Sequence, residues 1–322
     1  MHALKHSIFF FFLTSLRIFS ITAGEHNSAK EYISMLLDEV FPSTQTHTLS
    51  HILLTHGHAD HQGGLQELYT ELKRRNMLPL PTIHKFQSPT QSFPIQHFPL
   101  TSVLDIQNGE TFTTEGVTLQ ALYSPGHTDD HVCFLLKENQ ALLSGDCILG
   151  CGSAVFEDLH SYMTSLKRLQ RIMKNGYSWK SDTSPFIALE DTDGHNESLL
   201  PITAIYPGHG PVLSTAVIEK VDEYIAHREE RERQIVDYLQ TAGACSSGNT
   251  SGRHLPSASA CQSRWRSSWE IMSAIYPSTL PVIIKVSAQH NVQHHLSKLE
   301  MDGEVTSAWP DLWCYTKDKK YI

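Results

Sequence analysis

Four potential metal ligands fall within six residues, in the run His56-Gly57-His58-Ala59-Asp60-His61. Imidazole and carboxylate at this density suit a borderline first-row metal, zinc first, rather than calcium or magnesium, which prefer all-oxygen shells. Three more candidates stand in turns: His127 in Ser-Pro-Gly-His, Asp146 in Ser-Gly-Asp and His209 in Tyr-Pro-Gly-His-Gly. Each alone reads as an ordinary turn residue. Their joint occurrence directs attention to a metal centre, as does the histidine count of 20 against 25 Lys+Arg. The six cysteines form no CxxC pair, which excludes an all-cysteine zinc site and argues against a disulfide-built scaffold.

The elements that must carry these residues follow from hydrophobic pattern. His51-Ile-Leu-Leu-Thr55 is a short buried strand that delivers the chain to His56, and residues 118–123 and 203–206 are strands leading to His127 and His209. Residues 132–136 and 140–143 read as a hairpin ending at Asp146. Four ligand sites at strand ends would set two metals on one edge of a sheet core. Helices are expected over 31–40, 65–75, 162–173 and 215–239. Residues 176–200 read as an inserted loop, and 241–268 as a flexible Ser/Gly/Ala-rich linker. Beyond it, 269–276, 282–288 and 292–301 read as three short helices, and 304–307 with 313–316 as a small β-wing. Together these make a winged-helix-like domain over 269–322.

HxHxDH followed by PGHT, SGD and PGHGP resembles the metallo-β-lactamase superfamily, over about 24–240 of this chain. The runs Pro125-Gly-His-Thr-Asp-Asp-His131, Ser144-Gly-Asp-Cys-Ile-Leu-Gly150 and Ala154-Val-Phe-Glu-Asp-Leu159 are similar to its beta-lactamase-like protein 2 branch. The resemblance implies an α+β chain built on an αββα sandwich. It also implies two zinc ions, with His56, His58 and His127 on the first, Asp60, His61 and His209 on the second, and Asp146 bridging. Asp60 would also be catalytic, orienting a hydroxide that the two zinc ions generate from a shared water. Further implications are endoribonuclease cleavage of single-stranded RNA and a mitochondrial location. Lys167, Arg168, Arg171, Lys174, Arg228, Arg231 and Arg233 are candidate RNA contacts, or else solvated helix faces.

The superfamily's opening strands, which end in an Asp before Thr-Gly, have no counterpart here, so the N-terminal sheet is expected to be incomplete. Residues 1–23 form a hydrophobic leader with three open readings: a signal peptide, a buried strand, or an aberrant start; a transit peptide is also compatible with their lack of Asp and Glu. Location accordingly stays open between mitochondrion, cytoplasm and secretion. No run is long enough to span a membrane. The formal charge of −9 supplies no overall basic field, and the tail's seven Lys/Arg against six Asp/Glu argue against strong double-stranded DNA binding. A homo-oligomer is compatible with the sequence. The competing functions are an acyl hydrolase of the glyoxalase II or polyketide thioesterase type, since those resemble the same motifs, and an inactive binding remnant.

Overall fold

A computed structural model describes residues 10–13, 17–21, 29–40, 48–88, 103–114, 116–177, 201–243 and 264–316. The expected insertion, from residue 178 on, and most of the expected linker lie outside these. The chain divides into two units between Tyr224 and Ile225.

In the first unit, β1 (Phe10–Leu13), β2 (Arg17–Ile21), β3 (Thr48–Leu54), β4 (Thr82–Lys85) and β5 (Val103–Asp105) form one sheet in that order. Strands β2 to β5 run parallel, and β1 pairs antiparallel at the edge. Two segments of the leader therefore occupy the side of β3 where the sequence shows no superfamily strands. A second sheet has the order β10-β9-β8-β7-β6, built from β6 (Thr111–Thr114), β7 (Val117–Tyr123), β8 (Val132–Leu136), β9 (Ala141–Gly145) and β10 (Ala204–Pro207).

Alternation along β3 explains how the layers stack. Ile52 and Leu54 point to one face, where they join Ile33, Leu36, Leu37, Leu65, Leu68 and Leu72 of two helices. Leu53 points the other way, into a core shared with Leu119, Ala121, Phe134, Leu136 and Leu143 of the second sheet. The helices are α1 (Ala29–Ser34), which continues as a π-helix over Met35–Val40, and α3 (Leu65–Arg74); the four-residue α2 (Ala59–Gln62) lies between β3 and α3. The outer face of the second sheet is covered by α4 (Leu159–Asn175), which buries Tyr162, Leu166, Leu169 and Met173 and is capped by Asp158 accepting from the Ser161 amide. The order helix, sheet, sheet, helix is the αββα sandwich.

The second unit takes residues from Ile225 of α5 (Val217–Gly243), then β11 (Arg266–Ser267), α6 (Ser268–Ile275), α7 (Val282–Met301), β12 (Val305–Ala308) and β13 (Leu312–Tyr315). Ser267 and Glu270 form a capping box at the start of α6, and β12 and β13 pair antiparallel as the expected wing. One expectation fails. The two helices expected over 282–288 and 292–301 are a single helix, because Ala288, Val292, His295, Leu296 and Leu299 keep one buried face across the polar Gln289-His290-Asn291. The third helix of the winged-helix core is the end of α5, whose Ile235 and Leu239 pack with Ile271, Met272, Leu296 and Trp313. Among the described residues, no helix is long and apolar enough to cross a membrane.

Candidate metal centre

Strands β7 and β9 are both antiparallel to β8, and β10 is parallel to β9. Their C-terminal ends therefore share one edge of the second sheet. That edge meets the end of β3 through a hydrogen bond from the Val132 amide to the Thr55 carbonyl at 2.8 Å. The four ligand-bearing turns thus arrive at one place by topology, and all seven expected residues converge there.

They form two groups that share Asp146: His56, His58, His127 and Asp146, and Asp60, His61, Asp146 and His209. In the first, His56 Nε2 and His58 Nδ1 are 3.1 Å apart, and His127 Nε2 lies 3.1 Å from His58 Nδ1 and 3.3 Å from His56 Nε2. In the second, His209 Nε2 is 3.0 Å from Asp60 Oδ2 and 3.3 Å from Asp146 Oδ2, and His61 Nε2 is 3.3 Å from Asp146 Oδ1. Tetrahedral zinc with bonds of roughly 2.0 Å to nitrogen sets its ligands about 3.3 Å apart. Both donor set and spacing therefore fit a cation in each group. Each Asp146 oxygen faces a different imidazole of the second group, and Oδ2 also lies 3.7 Å from His127 Nε2, the arrangement a bridging carboxylate needs.

Electrostatics distinguish the two groups. Burial and then neighbouring imidazoles push His56 well below the usual histidine range; His127 falls to about 4, by burial first and His131 next. These rings are neutral and ready to donate a lone pair. His127 Nδ1 donates to the Val155 carbonyl at 2.9 Å, which turns Nε2 toward the centre. By contrast, the Asp146 and Asp60 carboxylates push His209 up to about 10. Burial works against the ionisation of Asp60 and Asp146, yet His209 and His61 hold both below the usual carboxylate range. The second group is thus an anionic pocket that holds positive charge. Asp60 and His209 are about a third exposed, whereas His56 and His61 are fully buried, so the centre is open to solvent at Asp60 and His209.

Several residues of the centre carry no sequence signal of their own. A Cβ at Gly208 would stand 2.2 Å from Asp146 Oδ1 and 3.0 Å from His61 Cε1, so only glycine leaves room for the Asp146 carboxylate. At Gly126, with φ +126°, a Cβ would strike the Tyr162 backbone at 2.3 Å. Behind the site, Lys85 at the end of β4 pairs with Asp130 at 2.5 Å, both fully buried. The candidate RNA contacts are largely engaged within their own units. Arg168 donates to the Tyr123 carbonyl, Lys174 pairs with Asp222, Arg233 pairs with Glu230 and Asp237, and Arg231 lies over the Tyr276 ring at 4.0 Å.

A family model for the metallo-beta-lactamase superfamily matches residues 47–209, which contain all seven ligand candidates. The chain belongs to the metallo-beta-lactamase superfamily. The model of a beta-lactamase associated winged helix domain matches 267–313. The Beta-lactamase-like protein 2 homolog of Caenorhabditis elegans is 33% identical over 88% of this chain and 75% of that protein. An atrochrysone carboxyl ACP thioesterase of Aspergillus fumigatus is 33% identical over 60% of this chain and 48% of its own length. Among solved structures, a metallo-beta-lactamase family protein from Thermus thermophilus shares the fold, with TM-score 0.59 and 18% identity over 96% of this chain and 93% of that one. Superfamily members are metal-dependent hydrolases, and the His/Asp groups of this chain suit metal binding.

Proposed function

We propose that this chain is a dinuclear zinc hydrolase that cleaves single-stranded RNA. The observation that carries the hydrolase reading is the pair of donor groups sharing Asp146, with the ligand atoms of each group within 4.8 Å of one another. Two zinc ions, when bound, polarise a substrate oxygen and make a water acidic enough to attack at neutral pH. The remaining tasks fall to the chain itself. Asp60, the accessible carboxylate, orients the attacking water and accepts its proton; His209, 3.0 Å away, fixes the Asp60 side chain. His127, locked through Val155, keeps its orientation through the reaction. RNA is favoured as substrate by similarity that runs through both domains to the nematode Beta-lactamase-like protein 2 homolog, whereas the match to the thioesterase stops at 60% of the chain. That reading carries with it a mitochondrial location.

A thioester substrate is the second reading, and the rim favours it. Val155 is 71% exposed and Val212 41%, beside small residues at 150–153, and these described loops carry no Lys or Arg. Incubation of the zinc-loaded chain with a labelled single-stranded RNA and with an acyl thioester separates the readings. Cleavage of RNA that is lost in Asp60→Ala supports the first. Thioester hydrolysis without RNA cleavage replaces it with the second.

A further inference from the structure

His131 lies against the centre but belongs to neither donor group. It is fully buried, with its ring centroid 5.2 Å from that of His56 and 5.7 Å from that of His127. Its Nε2 accepts a hydrogen bond from the backbone amide of Asp146 at 3.1 Å. An imidazole nitrogen that accepts carries no proton, which leaves Nδ1 as the nitrogen that bears one. Among the described residues that nitrogen is buried with no hydrogen-bond partner, and the Cys133 thiol lies near the ring. A fold tolerates a half-satisfied buried histidine where the satisfied half does something needed.

Asp146 is the one residue common to both donor groups, so any error in its backbone displaces both metals at once. Its amide follows Gly145, in the left-handed region at φ +49°, where a Cβ would stand 2.7 Å from His131 Nε2. The turn therefore closes directly onto the imidazole. Without an acceptor there, the buried Asp146 amide would be orphaned and the turn free to relax away from the site. The same hydrogen bond occupies the Nε2 lone pair and so bars a fourth imidazole from joining His56, His58 and His127.

We infer that His131 is a positioning residue, whose Nε2 holds the Asp146 amide so that the Asp146 carboxylate bridges the two metal sites. This rests on the dinuclear reading above. The test measures zinc affinity by chelator competition, and melting of the metal-free chain, for wild type, His131→Gln, His131→Met and His131→Asn. Gln presents an oxygen near the Nε2 position, Met matches its length without an acceptor, and Asn is too short to reach. Met and Asn are expected to bind zinc on the order of 10 to 100 times more weakly, with Gln recovering most of the loss. Were Met to fail to fold, the Gln and Asn comparison still decides. Wild-type affinity in Met or Asn, or equal losses in Gln and Met, overturns the role, since size rather than acceptance would then be at work. Wild-type stoichiometry tests the dinuclear reading separately, because the ratios among variants hold for whatever zinc is bound.

Discussion

At the residue scale, the second donor group makes a signed prediction about pH. With His209 raised to about 10 by two carboxylates, the ring is protonated at neutral pH before metal arrives. A cation must displace that proton, so affinity rises with pH, about tenfold per unit, until the pH reaches the His209 value. Calorimetry in buffers of differing ionisation enthalpy should show a proton released on filling this group; pH-independent affinity between 6 and roughly 9 would contradict it. Gly208→Ala is expected to weaken metal binding at least about tenfold with the fold retained, since the added methyl collides with Asp146 Oδ1 rather than with the core. Circular dichroism and a zinc titration of that variant check both halves. The seven ligand candidates carry a signal in the sequence because each stands in or beside a run marked by Gly, Pro or clustered histidines, and the structure gathers all seven into two groups. Gly208 was visible only as part of Pro-Gly-His, and the demand that Asp146 places on it comes from a contact between β9 and β10 that no local pattern reports.

At the element scale, the centre depends on strands held from two sides. Leu53 faces the inter-sheet core from β3 and is fully buried, so Leu53→Ala should cost about 2–5 kcal/mol, with metal affinity falling as the end of β3 loosens. Denaturant unfolding measures the first and zinc titration the second. The Lys85–Asp130 pair joins β4 to the loop that carries His127 and His131. Lys85→Met strands a buried carboxylate and should destabilise by about 3–5 kcal/mol, while the double variant with Asp130→Asn should recover part of that. A single variant as stable as wild type would show that the pair is dispensable. Strands β7, β8, β9 and β10 are legible within one or two residues, because apolar runs stop at turn residues, whereas β3 begins three residues before the expected His51. The short β4, β5 and β6 left no comparable signal. In the second unit the polar Gln289-His290-Asn291 concealed the continuity of α7, and the role of α5 as a core helix is set by packing at Ile235 and Leu239, which the charged run around it masks.

At the scale of the whole molecule, the N-terminal sheet takes its two outer strands from Phe10–Leu13 and Arg17–Ile21, segments that composition alone left open between leader and strand. A bound cation in each group would add binding free energy to that scaffold, so removing metal should lower Tm by an amount that grows with the logarithm of zinc affinity. In the proposed enzyme, Asp146 joins two metal sites into one hydrolytic centre. Its most direct test is the zinc content of the purified, zinc-saturated chain and of Asp146→Asn, measured beside their hydrolysis of RNA and thioester substrates. The expected result is about two zinc ions per wild-type chain, at most one held tightly by the variant, and hydrolysis abolished in the variant. Two tightly held zinc ions in Asp146→Asn with hydrolysis intact would contradict it.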